Sequence, residues 1–143
     1  FIPQQVLSHG PQVQKVFGIN GAKAQAQQGF PTIVKFGLPE LDKSRQTQGN
    51  ETTARVDALL AMMTTLDDTC VLYRAGETGL ARMQQGAQEV LDLGGYSTFA
   101  GQRAFNSLEQ DLLRLRASPG GVADLLAATL FIDRVEQFYF NNK

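Results

Sequence analysis

Tryptophan is absent from this 143-residue sequence, and cysteine and histidine occur once each. A lone cysteine, Cys70, excludes an intramolecular disulfide and makes a reducing cytoplasm the expected location. The lone histidine, His9 in "LSHGP", leaves no Cys/His metal set. It also gives Cys70 no base partner for nucleophilic work, so His9 reads as a loop or capping residue. Charge of one sign is missing too. The net charge of −1 supplies no basic field, so neither nucleic acid nor an anionic membrane is an expected partner. No apolar run approaches a membrane span, and no leader is read at the start. Strand-like alternation is nearly absent, the best candidate being the short "TCVLYR" from Thr69. The first residue is Phe1 rather than methionine, the expectation for a fragment, a processed product or the ordered part of something longer.

What is present is helical. Hydrophobic residues make up 43% of the chain, enough at this length for one domain with a core. Residues 1–41 read as short helices punctuated by glycine. Pro11 to Phe17 is capped by Ser8, "GAKAQAQQGF" is closed by Gly29, and Pro31 to Phe36 is stopped by Gly37 and Pro39. Residues 42–53, "DKSRQTQGNETT", lack apolar periodicity and read as a flexible loop. Four longer helices follow over 54–143. Their apolar faces are Val56/Leu59/Leu60/Met63, Leu80/Met83/Ala87/Val90/Leu91, Phe105/Leu108/Leu112/Leu115 and Val122/Leu125/Leu126/Leu130/Phe131. The expected fold is one all-α unit, a helical bundle.

Three stretches depart from this background. In "RASPGGVADLLAATLF", Ser118 and Pro119 suit an N-cap and a first helical residue. Gly120 and Gly121 then fall in the first turn, where each costs up to roughly 1 kcal/mol relative to alanine. Either another backbone packs very close there, or a phosphate approaches bare amides. In "LDDTCVLYRAGETGL", Asp67 and Asp68 are hard oxygen ligands suited to Mg²⁺, and Arg74 can grip a phosphate with its planar fork. Simple capping by Asp68 or Thr69, with Arg74 paired to a nearby acid, is the competing reading. "GINGAKAQAQQGFP" gathers Gly18, Gly21 and Gly29 around Lys23. It follows no strand, so it is neither a Rossmann turn nor a Walker loop.

Taken in order, "GINGAKAQAQQGFP", "DDTCVLYRAG" and "SPGGVADLLAATLF" resemble the motifs of the triphosphoribosyl-dephospho-CoA synthase family. "GLPEL" and "GLARMQQGAQEVL" between them look like family segments, so the likeness covers nearly the whole chain. The family makes the prosthetic-group precursor for the acyl carrier subunits of citrate lyase and malonate decarboxylase. The resemblance implies a C-terminal half of a larger all-α enzyme, completed by an N-terminal half in the same or another chain. It implies ATP and 3′-dephospho-CoA as substrates, adenine as leaving group and Mg²⁺ as cofactor. Catalytic roles would fall to Asp67, Asp68 and Asp124, with Asp67 and Asp68 also holding the metal. Phosphate contacts would fall to Lys23, Arg74, Ser118, Gly120 and Gly121. The chain departs from the family pattern at Asn20, Gln25, Cys70, Tyr73, Ala75 and Val122. These departures feed an alternative, a non-catalytic helical nucleotide-binding or scaffold relative.

Overall fold

The computed structural model describes residues 22–48 and 50–141. The expectations for Ser8, His9, Pro11 to Phe17, Gly18, Asn20 and Gly21 lie outside them. The described residues hold six α-helices and no strand: α1 (Ala22–Gln27), α2 (Leu38–Gln48), α3 (Glu51–Met63), α4 (Thr69–Asp92), α5 (Phe99–Arg114) and α6 (Gly120–Asn141). A π-helical turn (Ile33–Gly37) precedes α2, and a 3₁₀ turn (Gly95–Ser97) precedes α5. The fold is all-α, as the periodicity predicts. None of these helices is long and apolar enough to cross a membrane.

The core follows the apolar stripes except at Leu115 and Phe131, which the periodicity places on them and which are 42% and 70% exposed. Leu60, Met62, Val71, Met83, Val90, Val122 and Leu125 are fully or almost fully buried in one cluster with Leu108 and Leu112. Full burial of such side chains stabilises the fold by roughly 1.5–3 kcal/mol each. "TCVLYR" is not a strand: Asp68 caps it as the first turns of α4.

The expected loop over 42–53 is corrected. Helix α2 runs through Gln48, and α3 begins at Glu51 with Asn50 as N-cap, its side chain accepting from Thr53 N at 3.1 Å. Helix α2 hides from pattern reading because its inward face is partly polar. Beside Leu41, the buried Ser44 donates to Asp57 Oδ2 at 2.9 Å. Arg45 forks onto both oxygens of Asp133 on α6 at 3.0 and 2.9 Å, and also holds Glu51 at 2.7 and 2.8 Å. Buried polar groups satisfied in this way replace the apolar stripe a helix normally shows. Gly37 does not stop the chain either. A Cβ there would sit 2.8 Å from Met62 Sδ and 3.0 Å from Thr129 Oγ1, so its smallness lets the turn lie against α3 and α6.

Helix α4 is broken at Gly76, whose φ of 69° and ψ of −169° are non-helical and suited to glycine alone. A Cβ at this position meets nothing within 4 Å, so the demand is purely one of backbone conformation. Gly76→Ala is therefore expected to lower unfolding stability by roughly 1–3 kcal/mol. Urea titration followed by circular dichroism measures this. A loss below about 0.5 kcal/mol would mean that the break is not held by this residue's backbone angles.

A candidate active site at a shared helix cap

Asp68 joins two helices. Its Oδ1 accepts from the amides of Cys70 (2.9 Å) and Val71 (3.2 Å), which caps α4. Its Oδ2 accepts from the amide of Val122 at 2.8 Å, in the first turn of α6 and 54 residues away in sequence. The side chain is completely buried. Burial pushes its carboxyl above the ordinary value of 3.8, against the downward pull of the Val122, Val71, Cys70 and Gly121 amides.

This junction explains the paired glycines. A Cβ on Gly121 would lie 3.2 Å from the Asp68 carboxyl carbon, and one on Gly120 would lie 3.1 Å from Cys70 Sγ. A side chain at either position would press on the α4 start by a few tenths of an ångström, so close packing accounts for the pair. Two expectations are corrected as a result. Ser118 is exposed and caps nothing with its side chain among the described residues. Helix α6 begins at Gly120, and the capping oxygen comes from Asp68. Nor do Gly120 and Gly121 offer bare amides to a phosphate. The Gly120 amide donates to the Ser118 carbonyl at 2.7 Å, and the Gly121 and Val122 amides face Asp68.

The approach to α6 is fixed from the other side by the end of α5. Arg116 takes a left-handed φ of 54°, its amide donating to the Leu113 carbonyl at 3.0 Å. The amide of Ala117 donates to the Leu112 carbonyl at 2.9 Å. This paired closure ends α5 and delivers Ser118 and Pro119 to the junction.

The other candidate residues are exposed or half-buried. Asp124, one turn inside α6, is exposed, and its charge acts on the Cys70 thiol. Partial burial first, then Asp68 and Asp124, hold that thiol above its usual range, so Cys70 is poorly suited to act as a thiolate. Arg74 lies four residues beyond Cys70, which puts both on one flank of α4. It is exposed and makes no ion pair among the described residues. Asp67 is half-buried, and its Oδ1 accepts from Gln84 Nε2 at 3.3 Å. Gln84 also holds the Leu66 carbonyl at 3.0 Å, a positioning role that sequence reading missed because its partner lies in a different segment of the chain. Lys23 is exposed on α1.

Two departures from the family pattern lie in structural positions. Gln25 is buried, and its Oε1 accepts from the Thr32 amide at 2.9 Å, capping the next helical segment. Val122 is fully buried in the core.

A family described as ATP:dephospho-CoA triphosphoribosyl transferase matches residues 1–142. A protein of Pseudomonas syringae pv. syringae, named a probable 2-(5''-triphosphoribosyl)-3'-dephosphocoenzyme-A synthase, is 62% identical over 136 residues. That match spans 93% of this chain and 47% of the relative. Proteins with the same printed name from Pseudomonas savastanoi pv. phaseolicola and Stutzerimonas stutzeri are 60% and 55% identical, over 93% of this chain and 47% and 46% of their own lengths. The chain thus spans about half the length of these curated relatives. No solved structure matches it. With the family matched along nearly its whole length, this chain belongs to the ATP:dephospho-CoA triphosphoribosyl transferases.

Proposed function

We propose that this chain, together with the rest of the family's length, transfers the triphosphoribosyl group of ATP to 3′-dephospho-CoA. The 2′-oxygen of dephospho-CoA forms a bond to C1′ of the ATP ribose, and the C1′–N9 bond to adenine breaks. The hydroxyl proton passes to a carboxylate, and adenine departs with the bond's electron pair and takes up a proton. The observation that carries this reading is the cap junction, which sets exposed Asp124 and Arg74 on the starts of two helices locked together by one buried carboxylate.

Within that frame, Asp67 and Asp124 are the carboxylates with access to substrate, facing positive charge as it develops at C1′. Asp68 acts as a positioning residue, since its oxygens are already held by amides. Arg74 and Lys23 contact the triphosphate, joined by the exposed hydroxyl of Ser118.

No group of three His, Cys, Asp or Glu side chains able to hold a metal occurs among the described residues. Mg²⁺ does not need one, because it binds through one or two carboxylates plus substrate phosphates. Asp67 would hold it, and bound there it would offset triphosphate charge. The product serves as the prosthetic-group precursor for an acyl carrier protein subunit, in the cytoplasm. Burial of Gln25 and Val122 in structural positions weighs against the non-catalytic alternative, because neither departure removes an exposed group.

The test is adenine release from ATP and 3′-dephospho-CoA by this chain combined with the remaining half of the family's length. Release that depends on both nucleotides is the expected result. Binding of both without release would make the protein a nucleotide-binding relative instead.

A further inference from the structure

Helix α6 is apolar on two sides. Val122, Leu125 and Thr129 face the core, fully or almost fully buried. On another flank Asp124, Ala127, Phe131 and Val135 follow one another at steps of three or four residues, and all are exposed. Such spacing makes one continuous row along a helix, here about 17 Å long. Phe131 is 70% and Val135 48% exposed. Single exposed apolar residues are ordinary on a protein surface, but a helix apolar on opposite sides belongs between two layers. The row also has a direction, since it starts at Asp124 beside the cap junction and runs away from it. Anything lying along the row therefore borders the open side of the candidate site.

We propose that this flank of α6 is the seat of the half of the family fold that these 143 residues do not contain. The occupant is argued from length: the matched relatives are about twice as long, this chain covering 47% of the Pseudomonas syringae protein. A second layer of that size is what a two-sided helix requires, and its edge at Asp124 completes the site with groups from the other half. The inference rests on family membership and not on the proposed reaction.

The experiment co-produces this chain with the stretch of the Pseudomonas syringae relative that it does not match, one piece carrying an affinity tag. The two are expected to co-purify at equal stoichiometry. Hydroxyl-radical labelling of Phe131 should then be at least fivefold slower than in this chain alone. The double variant Phe131→Asp/Val135→Asp should reduce co-purification at least tenfold. It should leave the thermal midpoint of the chain alone unchanged, because both side chains face solvent. The proposal is overturned if no complex forms, if the double variant co-purifies normally, or if Phe131 labels equally fast in the complex. It is also overturned if Phe131 is already protected in the chain alone. Protection independent of concentration would assign the flank to residues 1–21, and protection rising with concentration would assign it to a second copy. Adenine release enters none of these readouts, so failure of the reaction and failure of the docking are separately visible.

Discussion

Asp68→Ala is expected to lower unfolding stability by about 3 kcal/mol, the largest effect of any single substitution at the junction. The loss has two sources. An N-cap carboxylate is worth roughly 0.5–2 kcal/mol to its helix, and this one serves both α4 and α6. The amides of Val71 and Val122 are also left in a buried position, where each unsatisfied donor costs roughly 1–3 kcal/mol. Release from burying a carboxylate offsets part of the total. Asp68→Asn keeps one acceptor oxygen and turns a donor toward the other helix, so its loss should fall in between. Urea unfolding of the chain gives the numbers, and a loss under about 1 kcal/mol for alanine would remove Asp68 as the shared cap.

The same residue has a pH signature. Its folded carboxyl lies above the ordinary 3.8, so the native state keeps this proton to higher pH than the unfolded chain. The linked stability is fully present below the unfolded value and is lost as pH rises through the folded one. Asp68→Asn should lack this part of the pH dependence.

Arg74→Ala should weaken ATP binding by the assembled enzyme roughly 10- to 100-fold, the span of a charge-assisted hydrogen bond to phosphate. Its thermal midpoint should not move, because the side chain is exposed and holds no structural partner among the described residues. Arg74→Lys should recover only part of the affinity, since an ammonium replaces the planar fork with a point charge. Isothermal titration with ATP decides the matter: equal affinity in the alanine variant would take Arg74 out of the site. A fall in both affinity and thermal midpoint would instead mark it as part of the scaffold.

Helices α3, α5 and α6 were legible in the sequence because their buried faces are written in leucine, valine and methionine. Helix α2 was not, because Ser44 and Arg45 fill inward positions and find their partners on Asp57, Glu51 and Asp133. Single-chain periodicity registers apolar spacing and is blind to a polar face satisfied from elsewhere. The candidate site divides along similar lines. Motif spacing singled out Asp67, Asp68, Arg74, Gly120 and Gly121, and the family resemblance added Asp124. It left open whether the glycines answer to a ligand or to a neighbouring backbone. The deciding contact, Asp68 to the Val122 amide, spans 54 residues, and no local pattern encodes it. Gln84 escaped notice for the same reason, since its tie to Asp67 joins two segments 17 residues apart.

The shared cap also fixes the electrostatic character of the place where the helices meet. Each helix start carries the equivalent of roughly half a positive charge. Both ends turn their first amides onto one carboxylate, that of Asp68, where α4 and α6 meet. The amides that would attract an anion at these two ends are thus already engaged from within. On the proposed reading, a triphosphate approaching the junction would be drawn by exposed side-chain cations and not by the helices. Attraction from exposed cations is screened by salt, whereas the geometry beneath them stays fixed. On that reading, affinity for the nucleotide and precision of its placement would be set by different parts of the molecule, and ionic strength should tune the first while leaving the second untouched.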